Sequence, residues 1–424
     1  MDTIFALSSG SPPAGIAVVR VSGPKAGAAL EALAGRLPPP RRASRAAFRE
    51  AAGEPLDDGL MLWFPGPATA TGEDLAELHL HGGRAVVAAV ERALAALPGL
   101  RRAEPGEFTR RAFANGRIDL AEAEGLADLL EAETEVQRRA AIELAGGALS
   151  RRVEAWRDHL LMLSAQLEAV LDFDDEGDVA ALPATFLREI SILADEIAAA
   201  LEAPAAEVLR EGFRVALAGP PNAGKSTLFN ALVDSEAAIT APLAGTTRDV
   251  LVRPVALGGI PFSFVDMAGL REGSADTVEN IGIERAHAEI ERADLVLWLG
   301  PEDKGPEGAW EIEPQADRPG HPVKRTTLYR VSAVTGEGLA ELKRGLIAHA
   351  AASMPRPGET ALNRRQRGLL EQAATALRSA TGEADPLLLA EDLRQARGAF
   401  DRLVGRSGTE DVLDALFGRF CIGK

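Results

Sequence analysis

The chain has 424 residues, 46% of them hydrophobic and 4% aromatic, which is enough apolar material for a buried core in each of two to four domains. Its formal charge of -17 argues against a surface that grips nucleic acid over its whole extent, because phosphate contacts need clustered Lys and Arg, so any such contact is local or shared with a partner. A single cysteine, Cys421, excludes an intramolecular disulfide and a cysteine-based zinc cluster, and the sequence has neither a signal-peptide pattern nor an apolar run of bilayer length; a cytoplasmic protein with no membrane contact is expected.

Residues 1–116 mix short β-branched runs such as Ile16-Ala17-Val18-Val19-Arg20-Val21 with Gly and Pro punctuation, and read as an α/β domain, with a loop at Pro38-Pro39-Pro40. From 117 to 210 the pattern is helical. Trp156, Leu160, Leu163, Leu167 and Val170 recur in steps of four and three, which predicts a core-facing stripe, and the acidic run Asp172 to Asp178 predicts a solvated break. Between 211 and 352 strands alternate with helices, starting at Phe213-Arg214-Val215-Ala216-Leu217-Ala218, which suggests a mostly parallel sheet. After Pro355 and Pro357, residues 353–424 return to Ala- and Leu-rich helices. Helices on both sides of an α/β unit predict an insertion into a discontinuous bundle.

The strand ending at Ala218 leads into Gly219-Pro220-Pro221-Asn222-Ala223-Gly224-Lys225-Ser226-Thr227, a phosphate-binding loop in its required strand-to-helix context. Glycines let backbone amides turn toward phosphate, the helix N-terminus adds its positive end, Lys225 reaches the β and γ phosphates and Ser226 offers an oxygen to magnesium. Only six residues are lysine, which makes one at this position more telling. Further on, Phe262-Ser263-Phe264-Val265 ends in Asp266-Met267-Ala268-Gly269, a carboxylate at a strand tip to act on magnesium indirectly and a Gly269 amide near the γ phosphate. Gly245-Thr246-Thr247-Arg248-Asp249 lies between, with hydroxyls suited to a switch loop, Thr247 on magnesium. The order of the three motifs describes a small GTPase domain.

With these motifs, the C-terminal Phe420-Cys421-Ile422-Gly423-Lys424, Thr71-Gly72-Glu73-Asp74 with His81-Gly82-Gly83, and Pro105-Gly106-Glu107-Phe108-Thr109 make the chain resemble the MnmE (TrmE) family of tRNA-modification GTPases. The resemblance implies an N-terminal tetrahydrofolate-binding domain, a helical domain in two parts and an inserted Ras-like GTPase domain. It implies a homodimer that works with the flavoprotein MnmG, as a heterotetramer, to place an aminomethyl-type group on carbon 5 of the wobble uridine of certain tRNAs, using 5,10-methylene- or 5-formyl-tetrahydrofolate. It assigns a potassium site to Asn222, Thr246 and the carbonyls of Ala241 and Leu243, with Arg248 and Arg271 as internal rivals for the same charge-stabilising role. It assigns the water-orienting catalytic role to Glu279, folate contacts to Arg20, Glu77, Arg117 and Lys424, and a role in tRNA modification to Cys421, for which buried packing is the alternative. Arg117 stands where relatives often have lysine.

One departure stands out. The family reads guanine with Asn-Lys-x-Asp, whereas the matching stretch here is Pro314-Gln315-Ala316-Asp317, followed by Ser332-Ala333 as the second base-contacting loop. Asp317 keeps the carboxylate that accepts from two guanine donors, while the loss of the amide and lysine predicts weaker GTP binding. Two other readings compete: a ribosome-assembly GTPase of the Era or EngA type, against which no Gly-x-x-Gly clamp or basic tail follows the GTPase segment, and a nucleotide-binding scaffold without turnover.

Overall fold

The structure, a computed structural model, describes residues 2–172, 182–234, 251–267, 288–321, 323–356, 358–407 and 410–423. The chain divides into two compact units, one of Met1–Ala127, Leu144–Leu161 and Arg397–Lys424, the other of Asp128–Glu143 and Met162–Ala396.

The first unit is built on six strands, β1 (Thr3–Leu7), β2 (Ala14–Ser22), β3 (Ser44–Arg49), β4 (Pro55–Phe64), β5 (Leu75–Gly82) and β6 (Leu100–Arg102), in the order β3-β4-β5-β2-β1-β6. Pairing is antiparallel except for β1 with β6. The two-residue period sorts each strand: Ala17, Val19 and Val21 of β2 and Ala76, Leu78 and Leu80 of β5 enter a core with helices α1 (Ala26–Ala34) and α2 (Arg84–Ala95). Arg20, Glu77, His79 and His81 alternate with them and so stand on the opposite face. There Phe108 of helix α3 (Glu107–Ala114) packs with Ile4 and Ala6.

The last residues return to this unit. The helix Glu410–Phe417 and Phe420 pack with Leu120 and Ala123, Ile422 bridges Pro105, and the Ser8 hydroxyl donates to the Gly423 carbonyl at 2.8 Å. Gly423 has φ +98, and a Cβ there would lie 2.0 Å from the Leu7 carbonyl oxygen, so the sequence needs glycine at this point.

Helices α4 (Leu120–Glu131), α5 (Glu135–Ala145) and α6 (Ala148–Asp172) follow in sequence. Along α6, Trp156, Leu160, Leu163 and Leu167 are buried as expected, while Val170 near the helix end is only half-buried; Trp156 stacks on Phe400 at 6.1 Å and Arg157 pairs with Asp401 at 2.8 Å. The acidic run beyond Asp172 lies outside the described residues.

In the second unit, α7 (Phe186–Leu201) packs on the helix Arg364–Gly382. Arg367 donates to the carbonyls of Leu201 at 2.7 Å and Ala203 at 2.7 Å, satisfying groups that a helix end leaves open. Ala205, just before α8 (Ala206–Glu211), bridges Leu362, so the chain leaves for the α/β segment and returns from it at one place. That segment carries β7 (Phe213–Ala218), α9 (Lys225–Val233), β8 (Leu251–Leu257), β9 (Ile260–Asp266), β10 (Leu295–Trp298), β11 (Trp310–Glu313) and β12 (Tyr329–Arg330), in the order β12-β11-β10-β7-β9-β8. Only the β8–β9 hairpin is antiparallel among these pairs. Central β7 is buried on both faces: Val215 and Leu217 join one core, Ala216 and Ala218 the other. The expected fold class holds: an N-terminal α/β domain, a helical region in separate sequence stretches and an α/β nucleotide-type segment between them.

Candidate functional site

β7 lies where the strand order reverses, between β9 on one side and β10 on the other, so the loop after its carboxyl end opens at the position where open α/β sheets bind ligands. Gly219 to Gly224 fill that loop. Gly224, at φ +91, is the N-cap of α9, and Asn222 takes φ +62. Lys225 is buried and folds back on its own loop, donating to the carbonyls of Gly219 at 3.0 Å and Pro220 at 2.9 Å. This holds the ammonium over the loop, where a phosphate would meet it. Ser226 and Thr227 stand exposed in the first turn of α9. Asp266, 8% exposed, ends β9 in register with Leu217, close to the start of the loop. A serine hydroxyl and a carboxylate are hard oxygen donors of the kind magnesium takes alongside phosphate oxygens. Ala241, Leu243, Thr246, Thr247, Arg248, Gly269, Arg271 and Glu279 lie outside the described residues.

The loop after β11 faces this one. Ala316 N–H donates to the Val331 carbonyl at 3.1 Å, and the Ser332 hydroxyl donates to Asp317 Oδ1 at 2.6 Å, bringing the two expected base-contacting segments together, with Ala333 next in the chain. The Asp317 carboxyl is held below its ordinary range, first by that hydroxyl, then by its own backbone N–H, and last by the nearby positive charge of Arg318 and His321. Gln315, at φ +57, donates from Nε2 to the Asn222 carbonyl at 3.0 Å. Pro314 brings no side-chain donor, but a link from this stretch to the phosphate loop is present through its neighbour. Below the loop, buried Glu313 accepts from Lys324 N–H at 3.0 Å and meets His321 Nε2 at 2.8 Å.

In the first unit, Arg20 and Glu77 are direct cross-strand partners, with Arg20 Nε and Nη2 donating to Glu77 Oε1 at 3.1 and 2.9 Å. Arg20 also lies 6.0 Å from the Phe108 ring centroid. Arg117 instead donates to the Thr69 carbonyl at 3.1 Å. Lys424 is outside the described residues, although Gly423 before it is anchored beside Ser8, whose N–H donates to Val18 of β2. Cys421 is exposed.

Comparison with known proteins decides the family. Residues 120–421 match the MnmE helical domain, and residues 3–117 match the GTP-binding protein TrmE N-terminus. A tRNA modification GTPase MnmE of Novosphingobium aromaticivorans is 63% identical, covering 100% of both chains. The chain belongs to the MnmE family of tRNA modification GTPases. Further family members, from Erythrobacter litoralis and Rhizorhabdus wittichii, are 61% and 59% identical over 100% of this chain and 100% and 97% of theirs. Among solved structures, the G domain of the T. maritima FeoB iron transporter aligns with 27% identity over 32% of this chain and 98% of its own, at a TM-score of 0.24. No helix among the described residues is long and apolar enough to cross a membrane.

Within this MnmE-family fold, three features escaped the sequence reading. His79 Nε2 lies 3.3 Å from Glu77 Oε2, the link from Gln315 to Asn222 crosses between loops, and Arg318 reaches Gln315. The first had a signal, since Glu77, His79 and His81 alternate with leucines at the strand period.

Proposed function

We propose that this protein hydrolyses GTP and, with MnmG, uses a tetrahydrofolate one-carbon unit to build the aminomethyl-type group on carbon 5 of the wobble uridine of certain tRNAs. The observation that carries the nucleotide part is the juxtaposition of the phosphate loop after β7, the Asp266 carboxylate at the tip of β9, and the Asp317–Ser332 pair at the base end. On this reading Lys225 and the loop amides take the phosphates, Ser226 and Thr247 hold magnesium directly and Asp266 acts on it through water. Asn222, Thr246 and the carbonyls of Ala241 and Leu243 hold potassium, which supplies positive charge for the phosphoryl transition state when two GTPase domains meet in a homodimer. Glu279 orients the attacking water, and Asp317 reads guanine.

In the first unit, the Arg20–Glu77 pair has the chemistry to meet a folate. A carboxylate accepts from the amidine-like edge of a pterin, while Arg117 and Lys424 suit its carbonyl and glutamate tail. The domain roles follow: 1–116 for folate, 117–210 and 353–424 as the helical framework carrying Cys421, and 211–352 for GTP. The net charge of -17 favours tRNA binding through the complex with MnmG, in the cytoplasm.

Mass spectrometry of wobble nucleosides from a strain lacking the protein tests this reading. Unmodified wobble uridine is expected. Normal tRNA with accumulated ribosomal precursors would favour the ribosome-assembly alternative instead.

A further inference from the structure

On the outer face of the first unit's sheet, Glu77 has Arg20 beside it on β2, Leu62 beside it on β4, and Leu75 and His79 two residues away along its own strand. Leu62 and Leu75 offer nothing to a carboxylate; Arg20 and His79 do. Arg20 gives Nε and Nη2 to the same oxygen, Oε1, at 3.1 and 2.9 Å, and His79 Nε2 lies 3.3 Å from the other oxygen, Oε2. A carboxylate only accepts, so the hydrogen of the second contact is carried by Nε2. The next histidine on this face, His81, is committed elsewhere, with its N–H and its Nδ1 each 2.8 Å from Asp57.

The two contacts on Glu77 are not equivalent. Each carboxylate oxygen has two lone-pair directions, and Arg20 takes both on Oε1, so the acceptor capacity left for a ligand is on Oε2. Arg20 fixes Oε1 but leaves Oε2 free to turn about the terminal torsion of glutamate, which is broad. The His79 contact removes that freedom. Its own place is set by the register, between Val18 of β2 and Leu60 of β4. The Glu77 and His79 side chains are 17% and 31% exposed, so an incoming N–H donor can reach this pair.

We propose that His79 is a positioning residue of the folate site, which aims Glu77 Oε2 at the N–H donors on the amidine-like edge of a pterin while Arg20 holds Oε1. His79 acts through Glu77. The inference rests on the folate reading of the Arg20–Glu77 pair and deepens it, by adding a residue that governs how well the carboxylate receives the ring.

The test is the dissociation constant of 5-formyl-tetrahydrofolate for the full-length protein, by isothermal titration calorimetry. His79→Leu, which suits a site between Val18 and Leu60 but cannot donate, is expected to weaken binding about fivefold, the scale of one lost hydrogen bond. His79→Gln, whose amide nitrogen can donate to Oε2, is expected to recover most of the loss. His79→Asn, whose nitrogen stands nearer the backbone, where the ring has Nδ1, is expected to recover little. Gln and Asn are both polar and differ by one methylene, so their comparison holds even if His79→Leu melts early. Unaltered affinity in His79→Leu overturns the proposal, and so does an affinity of His79→Gln no better than that of His79→Asn. Failure of the unmodified protein to bind the folate would instead sink the folate reading itself, and this inference with it.

Discussion

Two residues show how much depends on single atoms. Asp317 accepts from the Ser332 hydroxyl at 2.6 Å, which moves its carboxyl further below its ordinary range, and an ionised carboxylate is what can accept from two guanine donors. Asp317→Asn replaces one acceptor with a donor, so competition binding should show preference moving from GTP toward xanthosine triphosphate. An unaltered preference would mean that another segment reads the base. Gly423 presents the opposite situation, in which the absence of a side chain matters. Gly423→Ala would place a methyl group against the Leu7 carbonyl at φ +98, a cost above about 1 kcal/mol that is avoided if the tail lifts away. Limited proteolysis should then cut near Phe420 and Cys421 faster than in the parent, with GTP hydrolysis unchanged.

At the scale of elements, the end of β11 is pinned by a titratable contact. Burial acts to raise the Glu313 carboxyl, but the hydrogen bond to His321 and the Lys324 N–H outweigh it and the net direction is down; His321 is raised, first by its bond to Glu313 and then by the Arg318 carbonyl, against the nearby charge of Arg330. A histidine raised on folding contributes stability that is fully present below its unfolded value of about 6.5 and is lost as pH rises through the higher folded value. The melting temperature of the second unit should therefore fall on going from pH 6 to pH 8, and His321→Asn should remove that part of the slope. A slope equal to that of the parent would place the titration elsewhere. The same element logic explains the helices around the insertion: Arg367 closes the end of α7, and Asn363 with Gln366 forms a reciprocal cap on the helix that follows Leu362.

At the scale of the molecule, the proposed activity depends on two copies and a monovalent ion. GTP hydrolysis should rise several-fold when potassium replaces sodium, because the larger ion sheds water more readily to the oxygens of Asn222, Thr246, Ala241 and Leu243 that are proposed to hold it. Asn222→Ala should flatten that difference while keeping nucleotide affinity, since Gln315 bonds to the backbone carbonyl of Asn222 and not to its side chain. Asn222→Gly controls for backbone strain, because glycine takes φ near +62 freely. Equal rates of the parent in the two salts would remove potassium from the mechanism.

The sequence by itself determined the local pieces. β7, the phosphate loop and α9 are contiguous, so strand period, glycine conformations and helix start are all legible there, and Asp266 is legible as a strand tip for the same reason. The α6 stripe was equally plain, because a helical period needs no partner to be seen. Tertiary structure alone decided what depends on register between distant segments. It paired Arg20 with Glu77 through the alignment of β2 with β5, joined Ala205 to Leu362, and seated Gly423 beside Ser8. It also gave Gln315 a use that Pro-Gln-Ala-Asp does not announce. The acceptor is a backbone carbonyl, which carries no residue identity, and only the placing of both loops at the carboxyl end of one sheet brings it within reach.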